Sequence, residues 1–169
     1  MPAESAESAV IGAGLPEQER SRRDRDWMDR ALAVAASTPA GDVPVGAVVY
    51  GPDGVELASA TNRREADADP TAHAEVLALR EAARVLGDAW RLEGCTLVVT
   101  LEPCAMCAGA MVGARVSRVV FGAWEPRTGA CGSVFDVARE SPLHAVEVCG
   151  GVRLAECESL VRGFFAGRR

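Results

Sequence analysis

The sequence predicts an α/β protein, a three-layer α/β/α sandwich on a mixed sheet of about five strands. Short apolar runs rich in Val and Thr alternate with longer stretches of helical periodicity, in the order helix, hairpin, helix, strand, helix, strand, strand, helix. Two of the runs are separated only by "GPDG", a hairpin spacing, whereas later ones are separated by helical segments, as parallel strands require. At 169 residues the chain is long enough to bury one core between such layers.

Each element has a local cause. Residues 1–23 are rich in Ala, Glu, Ser and Arg without a sustained period, so they are expected to be a mobile extension preceding a single domain over 24–169. From Asp24 to about Ser37, Trp27, Met28, Ala31, Leu32, Val34 and Ala35 recur at helical spacing. "VPVGAVVY" and "VELASAT" form the hairpin, with Pro44 near a strand start, where its missing N–H is tolerated. In "DPTAHAEVLALREAARVLG", Asp69 reads as an N-cap, Pro70 as the first helical residue and Gly87 as the stop. "CTLVVTLE" and "VSRVVFGAW" read as strands on either side of a helix opened by "PCAMCAGAMVGAR". A short strand, "AVEVCGG", precedes a C-terminal helix expected to turn Leu154, Leu160, Val161, Phe164 and Phe165 inward.

Composition limits the function. No apolar run approaches the roughly 18–20 residues needed to span a membrane, and the N-terminal "AVIGAGL" lacks the basic lead of a secretory signal, so the expectation is a cytoplasmic protein. All eighteen basic residues are Arg, a composition bias that does not by itself mark bidentate recognition. The net charge of −6 argues against a broad nucleic-acid footprint but leaves a local patch open. Of the six cysteines only Cys104 and Cys107 are closely spaced; the other four are expected to be small core residues.

The chemistry lies in two short motifs. Cys104 and Cys107 form a Cys-x-x-Cys at a helix start, which alone fits a redox dithiol, a structural zinc knuckle or part of a catalytic site. His73 alone is most simply a residue of a helix start, and Glu75 alone a solvated first-turn acid. Together, His-x-Glu opening one helix and Pro-Cys-x-x-Cys opening the next bring three zinc ligands to two neighbouring helix N-termini. Three protein ligands leave a fourth position for water, and a carboxylate beside that water serves as the proton shuttle of a hydrolysis. His-x-Glu followed by Pro-Cys-x-x-Cys is the signature of zinc nucleobase deaminases.

From about Trp27 onward the chain resembles the bacterial tRNA-specific adenosine deaminases. The stretches that carry the resemblance are "VPVGAVV", "DPTAHAEVLALR", "TLVVTLEPCAMCAGAM", "RVVFGAWEPRTGACGS" and the terminal "FF". The resemblance implies a cytidine deaminase-like fold, a homodimer, and conversion of adenosine to inosine at the wobble position of a tRNA anticodon stem-loop. It further implies one Zn2+ per subunit on His73, Cys104 and Cys107, with Glu75 shuttling protons between the activated water and the base. Asn62 matches a position that hydrogen-bonds the flipped nucleotide, and Pro44, Val45 and the Ala74 backbone match its pocket wall.

Trp124 and Glu125 depart from the family, which commonly has a basic residue and an aspartate there. Arg63, Arg64, Arg127 and Arg162 are the expected RNA-facing cations, and His144 a surface or RNA-proximal residue. Two alternatives share the metal site. One is a free nucleobase or nucleoside deaminase of the guanine or cytosine type. The other is a non-catalytic zinc module closed by Cys95 or Cys131.

Overall fold

The computed structural model describes residues 15–168. In chain order they form α1 (Glu17–Ala35), β1 (Gly46–Tyr50), β2 (Glu56–Thr61), α2 (Ala74–Leu86), β3 (Thr96–Leu101), α3 (Ala105–Gly113), β4 (Arg118–Ala123), α4 (Val137–Glu140), β5 (Glu147–Cys149) and α5 (Leu154–Ala166). The five strands lie in the order β2-β1-β3-β4-β5. The hairpin β1–β2 and the pair β1–β3 are antiparallel, whereas β3–β4 and β4–β5 are parallel, so the sheet is mixed as expected.

Strand alternation divides the core in two. Leu97 and Val99 of β3 face one side, with Ala78 and Leu79 of α2 and Ala108 and Met111 of α3. Val98 faces the other, with Met28 and Ala31 of α1, Val120 of β4 and Cys157 of α5. β1, β3 and β4 are buried on both faces, which accounts for their continuous apolar runs; the edge strand β2 is partly exposed. Gly46 lets α1 lie close against β1: a Cβ there would overlap the Ala31 carbonyl oxygen and the Ala35 amide.

Several expectations are corrected. α1 begins at Glu17, seven residues before Asp24, so residues 17–23 are helical rather than extension; residues 1–14 of that expected segment lie outside the described residues. Its apolar stripe starts only at Trp27, whereas the first two turns are held by polar contacts. Asp24 lies buried within the helix, paired with Arg118. Helix α2 starts at Ala74 with His73 as its N-cap, not at Pro70 with Asp69. The Asp69 carboxylate instead accepts from the Thr71 amide and hydroxyl, both at 2.8 Å, in a local turn that competes with helix. Gly87 does terminate α2, in left-handed conformation at φ 76°.

Pro44 lies two residues ahead of β1, outside the ladder. In α5 the buried side chain is Cys157, while Leu154 and Phe165 are exposed. The apolar residues of this helix are divided between the sheet and the mouth of a cavity. Helix α4, a single turn capped by Asp136, has no counterpart in the sequence pattern.

Candidate zinc and base-binding site

The parallel strands β3 and β4 end on the same side of the sheet, and loops at the carboxyl ends of such strands are where open α/β sheets bind ligands. Cys104 follows β3 there as the N-cap residue of α3, and His73 is the N-cap residue of α2. Neither side chain makes a capping hydrogen bond, so both helices forgo the usual Ser, Thr or Asp cap and leave an imidazole and a thiol facing each other. His73 Nδ1 lies 3.7 Å from Cys104 Sγ and 3.4 Å from Cys107 Sγ. All three donor atoms fall within 4.8 Å of one another.

Protons are shared unequally in this cluster. The hydrogen bond from Cys107 holds the Cys104 thiol well below the ordinary thiol range, with His73 adding to the effect. Cys107 is pushed up by its bond to Cys104 and then by burial. His73 is raised by its hydrogen bond with Cys104. Glu75, one residue into α2, is buried, and desolvation pushes its carboxyl up to about 7. A carboxyl poised near neutrality is suited to carrying a proton in either direction.

The donor set fits zinc. Two sulfurs and one imidazole nitrogen form a Cys2His ligand set, which leaves one tetrahedral position open, and the three donors already converge. Among the described residues this is the metal-competent cluster; Cys95 and Cys131 lie outside it, so a fourth cysteine does not close the site. When bound there, zinc supplies the Lewis acidity that makes water nucleophilic near neutral pH.

A cavity of about 180 Å3 opens beside the cluster. It is lined by His73, Ala74, Glu75 and Cys104 together with Val43, Val45, Asn62 and Arg64. Glu102, Glu125 and Thr128 also line it, and Leu101, Val161 and Phe165 add apolar surface. Six of the expected residues, His73, Glu75, Cys104, Asn62, Val45 and Ala74, are therefore gathered around one space, and Cys107 meets it through the donor cluster. Pro44 is not among the lining residues; it is half-buried between Val43 and Val45. Asn62 also holds its own loop in place. Its Nδ2 donates to the Val43 carbonyl at 3.1 Å, tying the loop after β2 to the entry of β1.

The expected cations divide. Arg64 lines the cavity, and Arg127 and Arg162 line an adjoining depression with Glu125, Phe165 and Ala166. Arg63 is paired with Asp67 at 2.9 Å. His144 is half-buried and outside the metal-competent cluster, with Nε2 2.7 Å from the Val116 carbonyl, holding the loop before β5. Sequence reasoning missed Glu102, Thr128 and the lining role of Val161 and Phe165. Glu102 had a legible signal, since an acid directly after a strand of buried type is itself buried only with partners.

Residues 21–123 match the cytidine and deoxycytidylate deaminase zinc-binding region. Over 145 residues the chain is 44% identical to the tRNA-specific adenosine deaminase of Bacillus subtilis, covering 85% of this chain and 89% of that protein. It is 49% identical over 139 residues to a tRNA(Ile)-lysidine synthase of Deinococcus deserti, covering 82% of this chain but spanning only 26% of that longer protein. A solved structure from studies of A-to-I editing by tRNA:A34 deaminases at the wobble position of transfer RNA superposes with a TM-score of 0.72. It is 40% identical and covers 80% of this chain and 98% of its own. Guanine deaminase from Nitrosomonas europaea superposes at 0.66 with 28% identity, covering 86% of this chain and 84% of its own.

Proposed function

The chain belongs to the cytidine and deoxycytidylate deaminase family defined by that zinc-binding region, and on that premise we propose that it deaminates adenosine to inosine at the wobble position of a tRNA anticodon. The observation that carries this reading is the convergence of His73, Cys104 and Cys107 with the buried Glu75 at one cavity. The RNA substrate is supported by relatives such as the Bacillus subtilis enzyme, which this chain matches over nearly its whole length.

In the proposed reaction water adds to C6 of adenine, the C6–N6 bond breaks, and ammonia leaves. Glu75 takes a proton from the water and passes it to the ring nitrogen, then carries the proton of the new C6 hydroxyl to the departing amine, which leaves the C6 carbonyl of inosine. Its elevated pKa suits both directions of transfer. The Asn62 amide and the Ala74 backbone hold the base edge, and Val45 packs against its face. Arg64, Arg127 and Arg162 neutralise phosphates at the mouth, a local patch compatible with the net charge of −6.

Homodimeric assembly and a cytoplasmic location belong to the same proposal. No helix among the described residues is long and apolar enough to cross a membrane. A mass near twice 17.7 kDa by light scattering is the expected result for the dimer.

Incubation with an anticodon stem-loop carrying a wobble adenosine should yield inosine, with about one zinc per chain measured on the same sample. The second reading is a free-base deaminase, favoured by the likeness to the Nitrosomonas guanine deaminase. Release of ammonia from free guanine or cytosine with no inosine in the stem-loop establishes that reading and refutes the first.

A further inference from the structure

Among the described residues, Glu102 is a buried acid whose two carboxylate oxygens accept four hydrogen bonds. It follows β3 directly, lies two residues before Cys104 and is 2% exposed. Oε1 accepts from the amides of Cys131 at 3.1 Å and Ser133 at 3.0 Å. Oε2 accepts from the Glu125 amide at 2.9 Å and from the Ser133 hydroxyl. Four donors occupy about the full acceptor capacity of a carboxylate. All four come from one loop, residues 124–136, which runs from β4 to α4.

That loop is also folded against the metal-binding turn. The Ala130 amide donates to the Pro103 carbonyl at 2.8 Å, and Gly129 forms a bridge with Cys104. The approach is too close for a side chain: a Cβ on Gly129 would overlap the Glu102 carboxylate. Glu125 and Thr128, which line the cavity, lie in the same loop. The carboxylate thus connects the strand end that presents the thiols to a segment that lines the cavity.

We propose that Glu102 is a positioning residue, whose carboxylate fixes the Glu125–Ser133 loop as one wall of the base pocket and holds it in register with the Cys104 turn. This inference rests on the cavity being the pocket of the proposed deaminase. Both carboxylate oxygens act as acceptors here. Glutamine would set an NH2 group against amide donors, while aspartate keeps the charge and shortens the reach by one methylene.

Steady-state kinetics of Glu102→Gln, Glu102→Asp and Ser133→Ala, with zinc analysis and amide hydrogen exchange, tests the proposal. Glu102→Gln should raise KM on the order of 10- to 100-fold, the scale of effect that small misplacements produce, with zinc still near one per chain. Exchange at Cys131 and Ser133 should accelerate in the same variant, and Glu102→Asp should recover part of the loss. Ser133 is exposed, so its alanine variant tests the clamp without endangering the core. Its KM should rise about threefold, the effect of losing one hydrogen bond.

An unchanged KM with unchanged exchange at Cys131 and Ser133 overturns the proposal; if Glu102→Gln does not fold, Ser133→Ala decides by the same criterion. A fall in zinc content with KM unaltered in the remaining active fraction overturns it too, because that pattern belongs to a general loss of structure. Wild-type turnover on the stem-loop tests the functional reading separately. The role of Glu102 is then judged on whichever base the wild type deaminates.

Discussion

Asp24 and Arg118, ninety-four positions apart in the chain, meet through two hydrogen bonds of 2.7 Å each, and both side chains are almost wholly buried. The bidentate pair fastens the middle of α1 to the start of β4, at the end of the sheet away from the thiols. Glu147 adds a third contact, 3.3 Å from Arg118 Nε.

Removing one partner of this pair should be costly, because the other charge stays buried. Asp24→Ala is expected to destabilise the protein by about 3–5 kcal/mol in urea unfolding, with zinc content unchanged. Replacing both residues by apolar ones, Asp24→Leu with Arg118→Met, should recover much of that loss. A single-variant loss below ~1 kcal/mol would show that the pair contributes little.

The metal site and the proton carrier should separate by mutation. Cys104→Ala removes a donor from the three-residue cluster and should lower both zinc content and activity. Glu75→Gln leaves the donors intact, so zinc should remain while turnover falls on the order of 10^2- to 10^4-fold. Normal deamination by the Glu75 variant would contradict the role assigned to it.

Tyr50 is the only tyrosine, so its ionisation can be followed by absorbance without interference from another phenol. It stacks on Trp27 with ring centroids 4.1 Å apart, and burial pushes its hydroxyl from 10.0 up to about 12. The folded state therefore keeps a proton that the unfolded chain releases above pH 10, and the Tyr50 contribution to stability falls as pH rises from 10 toward 12. The titration midpoint should lie near 12 in the native protein and return to about 10 in urea. Tyr50→Phe should lose less stability over that interval than the wild type, as measured by urea unfolding at each pH.

Gly46 tests the packing of α1 on the sheet. The atoms a methyl would strike are the backbone of Ala31 and Ala35, which cannot rotate away as a side chain would. Gly46→Ala should cost about 1–3 kcal/mol or more and lower the melting temperature. An unaltered melting temperature would mean that α1 shifts freely on β1.

The layer order, the hairpin, and the residues His73, Cys104, Cys107 and Glu75 that the structure brings together are all legible in the chain alone. Those features are local: strand and helix periodicity, a four-residue turn, and two motifs whose spacing is fixed within a few residues. Where α1 starts depends on tertiary packing, because its early turns are held by polar pairs, Arg20 with Glu147 and then Asp24 with Arg118, rather than by an apolar stripe. The start of α2 at Ala74 rather than Pro70 is set by a local turn that the N-cap pattern does not distinguish from a helix start: Asp69 accepts from Thr71, and His73 takes the cap position. The loop after β4 that lines the cavity is set by tertiary contacts. Glu102 reads in the chain as a charge after a buried strand, and its purpose depends on donors 23 to 31 residues later. Such pairing depends on how the loop after β4 folds back, and no local pattern of residues encodes that.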